Sequence, residues 1–177
     1  MSGHNKWSKI KNRKAVTDSQ KSKIFGKYAR LIAVEAKKVN GDVNSPSLKA
    51  VVDRARAENM PNDNIDRAVK KGAGGDTGNL ETIIYETYGP GGCAILIEVL
   101  TDNRNKAAQE IKHALVENGL ELAVPGSAMW AFTKTHDGYE SSMQVDLSEE
   151  EKNKFSKLAE ELDELEDVQN IYTNAND

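Results

Sequence analysis

The sequence predicts a small all-helical domain followed by an α+β sandwich of the ferredoxin-like style, with a basic arm in front. Three observations predict it. Up to residue 72 the apolar residues recur at helical spacing; a run with four glycines in seven residues, Gly72 to Gly78, then interrupts them; beyond it, segments rich in Ile, Val and Tyr alternate with helical stretches. The boundaries that follow are a basic arm over 1–17, three helices over 18–72, a Gly-rich linker over 73–78 and an α+β domain over 79–177. A chain of 177 residues suits two small domains.

Residues 1 to about 17 show no period, with Trp7 and Ile10 the only large apolar side chains before Val16, and are expected to be a mobile arm. The first helix is expected from Asp18 or Ser19, either of which can cap it, to about Val39, where Asn40 and Gly41 supply a stop. Phe25, Ala29, Ile32, Ala36 and Val39 form one stripe that must be buried, and Lys23, Lys27, Arg30 and Lys37 form another. Ser45 as cap and Pro46 at the first helical position announce a second helix with Leu48, Val51, Val52 and Ala55 inside, ending near Asn59. Pro61 opens a third, with Asp63 in its first turn, Ile65, Ala68 and Val69 inside, Lys70 and Lys71 in its last turn and Gly72 just beyond.

Past the glycines, Ile83–Tyr88 and Cys93–Leu100 read as strands joined by the turn Gly89-Pro90-Gly91-Gly92. A helix is expected over Asn103–Asn118 with Ala107, Ala108, Ile111, Ala114 and Leu115 inward. A strand is then expected over Ser127–Lys134, where Ala128, Trp130 and Phe132 alternate, and another over Ser142–Leu147. Ser148 and Glu151 make a capping box for a last helix that buries Phe155, Leu158, Leu162 and Leu165, and Val168–Tyr172 closes as a strand. The order β-β-α-β-β-α-β fits helices on one face of a mainly antiparallel sheet.

The net charge of −4 conceals a division. Residues 1–71 hold 17 bases and 7 acids, residues 72–177 hold 7 bases and 21 acids, and the first thirty residues hold nine bases against one acid. Such a local field seeks a polyanion. Lys6, Lys9, Lys11, Arg13 and Lys14 can follow a phosphate backbone, His4 adds a contact, and Trp7 offers a stacking face to an unpaired base. Lys23, Lys27, Arg30 and Lys37 extend this track along the first helix. Arg54, Arg56, Arg67, Lys70 and Lys71 rank behind them, because Asp53, Glu58, Asp63 and Asp66 partly neutralise them.

A recognition helix is poorly represented, since the third helix offers mainly Asn64 and Arg67 to base edges. Neither glycine run has the context of a phosphate loop. Arg104 and Lys106, at a strand-to-helix junction, are secondary candidates for a phosphate contact, although capping by Thr101 or Asp102 explains the polar residues there equally well. No pattern pairs His4, His113 or His136 with a nucleophile or a second metal ligand, and Cys93 reads as a small core residue. The expectation is therefore no catalytic residue, no metal and no cofactor. The longest apolar stretch falls far short of a membrane span of roughly 20 residues. A lone cysteine and the lack of an apolar signal core point to the cytoplasm; an organelle transit peptide is the other reading of an acid-poor start, set aside on Gly3, Asn5, Asn12 and the Lys bias.

Several motifs resemble one family. Gly3-His4-Asn5-Lys6-Trp7, Ile10-Lys11, Arg13-Lys14, Asn59-Met60-Pro61, Asp63-Asn64-Ile65, Lys70-Lys71-Gly72, Tyr88-Gly89-Pro90-Gly91-Gly92, Leu100-Thr101-Asp102-Asn103-Arg104-Asn105 and Asp167-Val168-Gln169-Asn170-Ile171-Tyr172 are similar to the YebC/PmpR family. The resemblance covers residues 1 to about 134 and 142 to 177. It implies a cytoplasmic, non-enzymatic regulator of gene expression: a DNA-binding transcriptional regulator as bacterial members are described, or a ribosome-associated translational activator as mitochondrial relatives are described. It also implies a polyanion grip on His4, Lys6, Trp7, Lys11, Arg13 and Lys14. The sequence departs from the family where an extra domain is expected between Lys134 and Ser142, since only the connector Thr135 to Ser141 is present. Expected partners are therefore DNA or ribosomal RNA, with the ribosome as a further candidate. The other reading is a protein-interaction or small-ligand module with an incidental basic tail. DNA versus RNA, and the oligomeric state, stay open at this point.

Overall fold

The computed structural model describes residues 17–136 and 138–176. The chain divides into two compact units, one ending at Glu81 and one beginning at Thr82. The mobile arm expected over 1–17 lies outside the described residues except for Thr17.

The first unit consists of α1 (Asp18–Lys38), α2 (Pro46–Ala57) and α3 (Asn62–Ala73). Thr17 caps α1, one residue before the expected Asp18 or Ser19. Its hydroxyl accepts the Gln20 N–H at 3.3 Å while the Gln20 side chain accepts the Thr17 N–H at 2.9 Å. This reciprocal box needs an amide or acid three residues on, which Gln20 supplies for Thr17. Asp18 is thereby left in the first turn, where a carboxylate favours the helix dipole. α1 stops where Gly41, at φ 76°, turns its N–H back to the Ala36 carbonyl at 2.8 Å.

Ile32 and Ala36 of α1 pack on Leu48, Val51, Val52 and Ala55 of α2 and on Met60, Ile65 and Ala68, with Phe25, Ala29 and Val39 half-buried around them. This is the stripe that the periodicity demands. Ser45 holds the cap position of α2, but its hydroxyl meets that of Ser47 at 3.2 Å and caps no amide; Pro46, with its preset φ, starts the helix. α2 ends at Ala57, before the expected Asn59, because Asn59 adopts φ 63° and the Met60 N–H reaches back to Ala55.

Gly72 lies inside α3, and is no terminator just beyond it. It is buried, and a Cβ there would collide with the Ala33 carbonyl oxygen and approach the Ala36 Cβ to 2.7 Å. A glycine lets the two helices touch through their backbones. The Gly-rich run after it is held at Thr77, which is buried and accepts from Lys37 Nζ at 3.1 Å.

The second unit runs β1 (Glu81–Tyr88), β2 (Ala94–Thr101), α4 (Arg104–Glu117), β3 (Phe132–Thr135), β4 (Gly138–Ser141), α5 (Glu149–Asp163) and β5 (Val168–Thr173). The element order is the expected one, but the strands form two sheets. One has the order β1-β2-β5 and the other is the hairpin β3-β4. β2 and β5 pair antiparallel from Ile95↔Thr173 to Val99↔Val168, with an irregularity at Glu98/Val99. Alternation along β2 explains the layering. Ile95, Ile97 and Val99 face Ala107, Ile111 and Leu115 of α4 and Phe155, Leu158 and Leu162 of α5, whereas Ala94 and Leu96 pack on Ala128, Ala131, Phe132 and Tyr172. The helices thus cover one sheet face, and the hairpin with its preceding turn covers the other.

Two strand expectations are corrected. The strand expected over Ser127–Lys134 begins only at Phe132, after a 3₁₀ turn at Met129–Ala131. The cause is Glu86, a buried carboxylate on β1 that accepts the N–H groups of Gly126 (2.6 Å), Ala128 (2.8 Å) and Met129 (2.8 Å). Three amides converging on one side chain bend the chain, so Ala128 and Ala131 go inside while Trp130 goes out. The strand expected over Ser142–Leu147 is replaced by β4, because the Ser142 N–H and hydroxyl bond to the Ala131 carbonyl and Val145 makes a single bridge to Ala175. The connector expected over Thr135 to Ser141 is therefore the turn and second strand of a hairpin, with Thr135 and Gly138 as partners. Gly138 has φ 127°, and a Cβ there would strike the Tyr172 hydroxyl.

α5 has the expected capping box: Ser148 Oγ accepts the Glu151 N–H at 3.3 Å and Glu151 accepts the Ser148 N–H at 2.8 Å. α4 is capped by Asn103, not by Thr101 or Asp102. Asn103 Oδ1 accepts the Lys106 N–H at 3.1 Å, while the Thr101 hydroxyl accepts the Asn103 N–H at 3.0 Å and donates to the buried Asp167 at 2.8 Å. That second contact, to the residue just before β5, fixes Thr101 in a role that local sequence does not reveal.

Candidate nucleic-acid interface

At 100° per residue, Lys23, Lys27, Arg30 and Lys37 fall within about 80° of one another on α1, roughly opposite the packed residues Ile32 and Ala36. Lys23 and Lys37 are exposed and Lys27 and Arg30 half-exposed. The bundle creates this arrangement, since burying one stripe of an amphipathic helix turns the other to water. Two further lysines of α1 pair with acids outside the four-residue stripe: Lys21 lies 3.9 Å from Asp18 and Lys38 2.7 Å from Glu35. Lys37, by contrast, is drawn onto Thr77, a neutral partner.

The arm candidates His4, Lys6, Trp7, Lys9, Lys11, Arg13 and Lys14 lie outside the described residues. Two of the second-ranked bases are engaged locally. Arg56 sits 3.6 Å from Asp53 and donates to Asn62 Oδ1 at 3.4 Å, and Arg67 donates to Asn64 Oδ1 at 3.0 Å. The two side chains of α3 best suited to reading base edges are thus bonded to each other. Direct major-groove readout by this helix would have to break that bond.

At the start of α4, Arg104 and Lys106 are exposed, with Lys106 Nζ 3.8 Å from Glu110. The Lys106 amide is taken by the Asn103 cap. Asp102 is exposed beside it without a capping role, so its charge opposes an anion there.

Among the described residues, no group of three or more His, Cys, Asp or Glu side chains is placed to hold a metal ion, and no helix is long and apolar enough to cross a membrane. Cys93 is buried, and that burial raises its thiol pKa above the ordinary 9.0. A groove of about 280 Å³ between α2 and α3, lined by Val43, Lys49, Val52, Arg56, Ile65 and Val69 among others, belongs to the helical unit. A small-ligand reading of the α+β unit gains nothing from it.

Sequence reasoning missed one exposed feature of the α+β unit. The Trp130 indole N–H donates to the Tyr88 hydroxyl at 2.8 Å, and that hydroxyl donates to the Ser127 carbonyl. Alternation alone puts Trp130 within a strand. The Val124-Pro125-Gly126 run before it is the turn signal that argues otherwise.

Known proteins share this architecture and its sequence. Residues 5–75 match the family model described as the TACO1/YebC protein N-terminal domain, and residues 80–139 and 135–175 match the TACO1/YebC second and third domain. A Finegoldia magna protein named "Probable transcriptional regulatory protein" is 52% identical over 136 residues, covering 76% of this chain and 56% of its own length. A Thermotoga maritima protein of the same name is 50% identical over 136 residues, at 76% and 54%. The chain thus spans little more than half the length of these curated relatives. Its structure is similar to the crystal structure of a conserved hypothetical protein from Aquifex aeolicus, with a TM-score of 0.83, 26% identity and 96% of each chain covered.

Proposed function

The chain belongs to the TACO1/YebC family, and from that premise we propose that it is a non-enzymatic regulator of gene expression that works by gripping a nucleic acid. The observation that carries this reading is the single-signed ridge of Lys23, Lys27, Arg30 and Lys37 on the outer side of α1, directly downstream of the most basic segment of the chain. Bases that fall in one helix sector without alternating acids suit a phosphate backbone better than a salt-bridged surface. His4, Lys6, Trp7, Lys9, Lys11, Arg13 and Lys14 continue the grip, with Trp7 stacking on an unpaired base.

The names of the bacterial relatives favour DNA. The Arg67–Asn64 bond favours a second variant, in which the target is RNA in a ribosomal setting. Base-edge readout by α3 would first have to break that exposed bond, whereas an arm with one aromatic suits single-stranded or irregular RNA. Crosslinking bound nucleic acid in cells and comparing DNA with RNA recovery separates the two. The grip itself is tested by salt: about five phosphate contacts give a log–log slope of roughly −3.5 to −4.5, and a slope near zero rejects it.

A further inference from the structure

Gly72 of α3 is buried against the Ala33 carbonyl, and Gly41, just past α1, holds a φ of 76°. Gly26, in the middle of α1, has neither reason to be a glycine. It is exposed, α1 runs unbroken through it from Asp18 to Lys38, and its φ is not left-handed. A Cβ there would meet nothing within 4 Å among the described residues. An interior glycine weakens a helix relative to alanine, and neither packing nor backbone geometry offsets that cost at this position. What remains is the surface that the missing side chain leaves open.

That opening adjoins the basic ridge. At 100° per residue, Gly26 lies about 20° from Lys37, about 40° from Arg30 and about 60° from Lys23 around α1. Along the axis it falls between Lys23, about 4.5 Å before it, and Arg30, about 6 Å after it. Residues three and four apart are surface neighbours on a helix, so Lys23 and Arg30 border Gly26 directly. The two acids of α1 are remote from it: Asp18 lies more than two turns earlier, and Glu35 lies about 180° round the helix. Helical Cα atoms stand about 2.3 Å from the axis and side chains fill a cylinder of about 5–6 Å radius, so the surface drops by about 3 Å over a glycine. A notch bordered by two cations has the shape and the charge to admit a phosphate to the helix backbone. Attraction to both bases rises as the distance shrinks, and no side chain has to move aside. We infer that Gly26 is the point at which the sugar–phosphate backbone of a nucleic acid crosses α1, with one phosphate seated over the glycine between Lys23 and Arg30. This placement rests on the nucleic-acid reading proposed above and adds a register to it, since an even ridge of cations alone lets a polyanion slide.

Gly26→Gln adds bulk and removes no charge, which makes it diagnostic. Anisotropy titrations of the full chain against a labelled single-stranded RNA and a labelled DNA duplex, over a range of KCl concentrations, read the effect. On whichever probe the wild type binds, Gly26→Gln is expected to weaken binding about five- to tenfold at about 0.1 M KCl. The salt slope should fall by about 0.7–0.9, the signature of one lost phosphate contact. The same substitution should raise the thermal unfolding midpoint, as should Gly26→Ala, because both residues favour a helix over glycine. Ala50→Gln, on the exposed side of α2, leaves binding unchanged. Wild-type affinity and slope in Gly26→Gln overturn the inference. So does a lowered midpoint in both Gly26 variants, which assigns the glycine to the fold. A wild type that binds neither probe, or binds without salt dependence, sinks the nucleic-acid reading itself and this placement with it.

Discussion

Gly72 of α3 rests on the backbone carbonyl of Ala33 of α1, with the Ala36 methyl on the same side. No side chain fits between the two helices at this point. Gly72→Ala must push α3 away from α1, and overpacking of this kind costs about 1–3 kcal/mol. The variant is expected to unfold at lower urea with an unchanged m-value, whereas Gly75→Ala, with open space around its Cβ, should cost less despite its φ of 76°.

Glu86 is expected to be the most sensitive carboxylate of the α+β unit. Replacing it with Ala releases the N–H groups of Gly126, Ala128 and Met129; that of Ala128 is buried, and leaving it unsatisfied costs about 1–3 kcal/mol, whereas the exposed Gly126 can turn its amide to water. Hydrogen exchange at those amides should accelerate, and the Trp130 emission should change as its turn loosens. Unaltered exchange at all three would remove Glu86 as the organiser of the turn.

Removing positive charge from α1 is expected to act through salt dependence more than through stability. Lys23→Ala, Lys27→Ala and Arg30→Ala should each lower the slope of log affinity against log salt by about 0.7–0.9, the change expected when one phosphate is no longer neutralised. Reversing Lys6, Lys11, Arg13 and Lys14 together should abolish binding to both DNA and RNA. Anisotropy titrations over a range of KCl concentrations read both effects.

Cys93 provides a pH test. Its burial raises the folded-state pKa, so the folded protein keeps the thiol protonated at a pH where the unfolded chain, ionising near 9.0, has lost the proton. The unfolded state is then favoured progressively as pH rises above about 9. Stability of the wild type should decline there more steeply than that of Cys93→Ala, and a thiol reagent at pH 8 should label Cys93 only as fast as the protein opens.

Loss of the Ser148 hydroxyl is expected to cost about 1 kcal/mol, the ordinary worth of an N-cap. Ser148→Asp should preserve most of that stability, because an aspartate can accept the same Glu151 amide. Thermal unfolding of the two variants side by side measures the difference.

The helices were legible in the sequence because their signals are local. The 3.6-residue stripe of α1, Pro46 at the head of α2 and the Ser148/Glu151 box all act within a few residues of where they are read. What escaped depended on distant partners. Trp130 alternates convincingly with Ala128 and Phe132 until Glu86, more than forty residues earlier, gathers the amides around it. Gly72 resembles a helix terminator until Ala33 is placed against it, and Thr101 resembles a cap until Asp167 claims its hydroxyl. The basic ridge of α1 was readable for the same local reason as its buried stripe. The Tyr88–Trp130 pair was not, because it forms only when β1 and the later turn meet.

The β3–β4 turn has an architectural consequence. Thr135 and Gly138 face each other as register partners, so the backbone leaves and re-enters the scaffold at almost a single point. A gateway of that kind lets evolution splice modules in or cut them out without disturbing the layers beneath, provided that the residue seated over the Tyr172 ring stays a glycine.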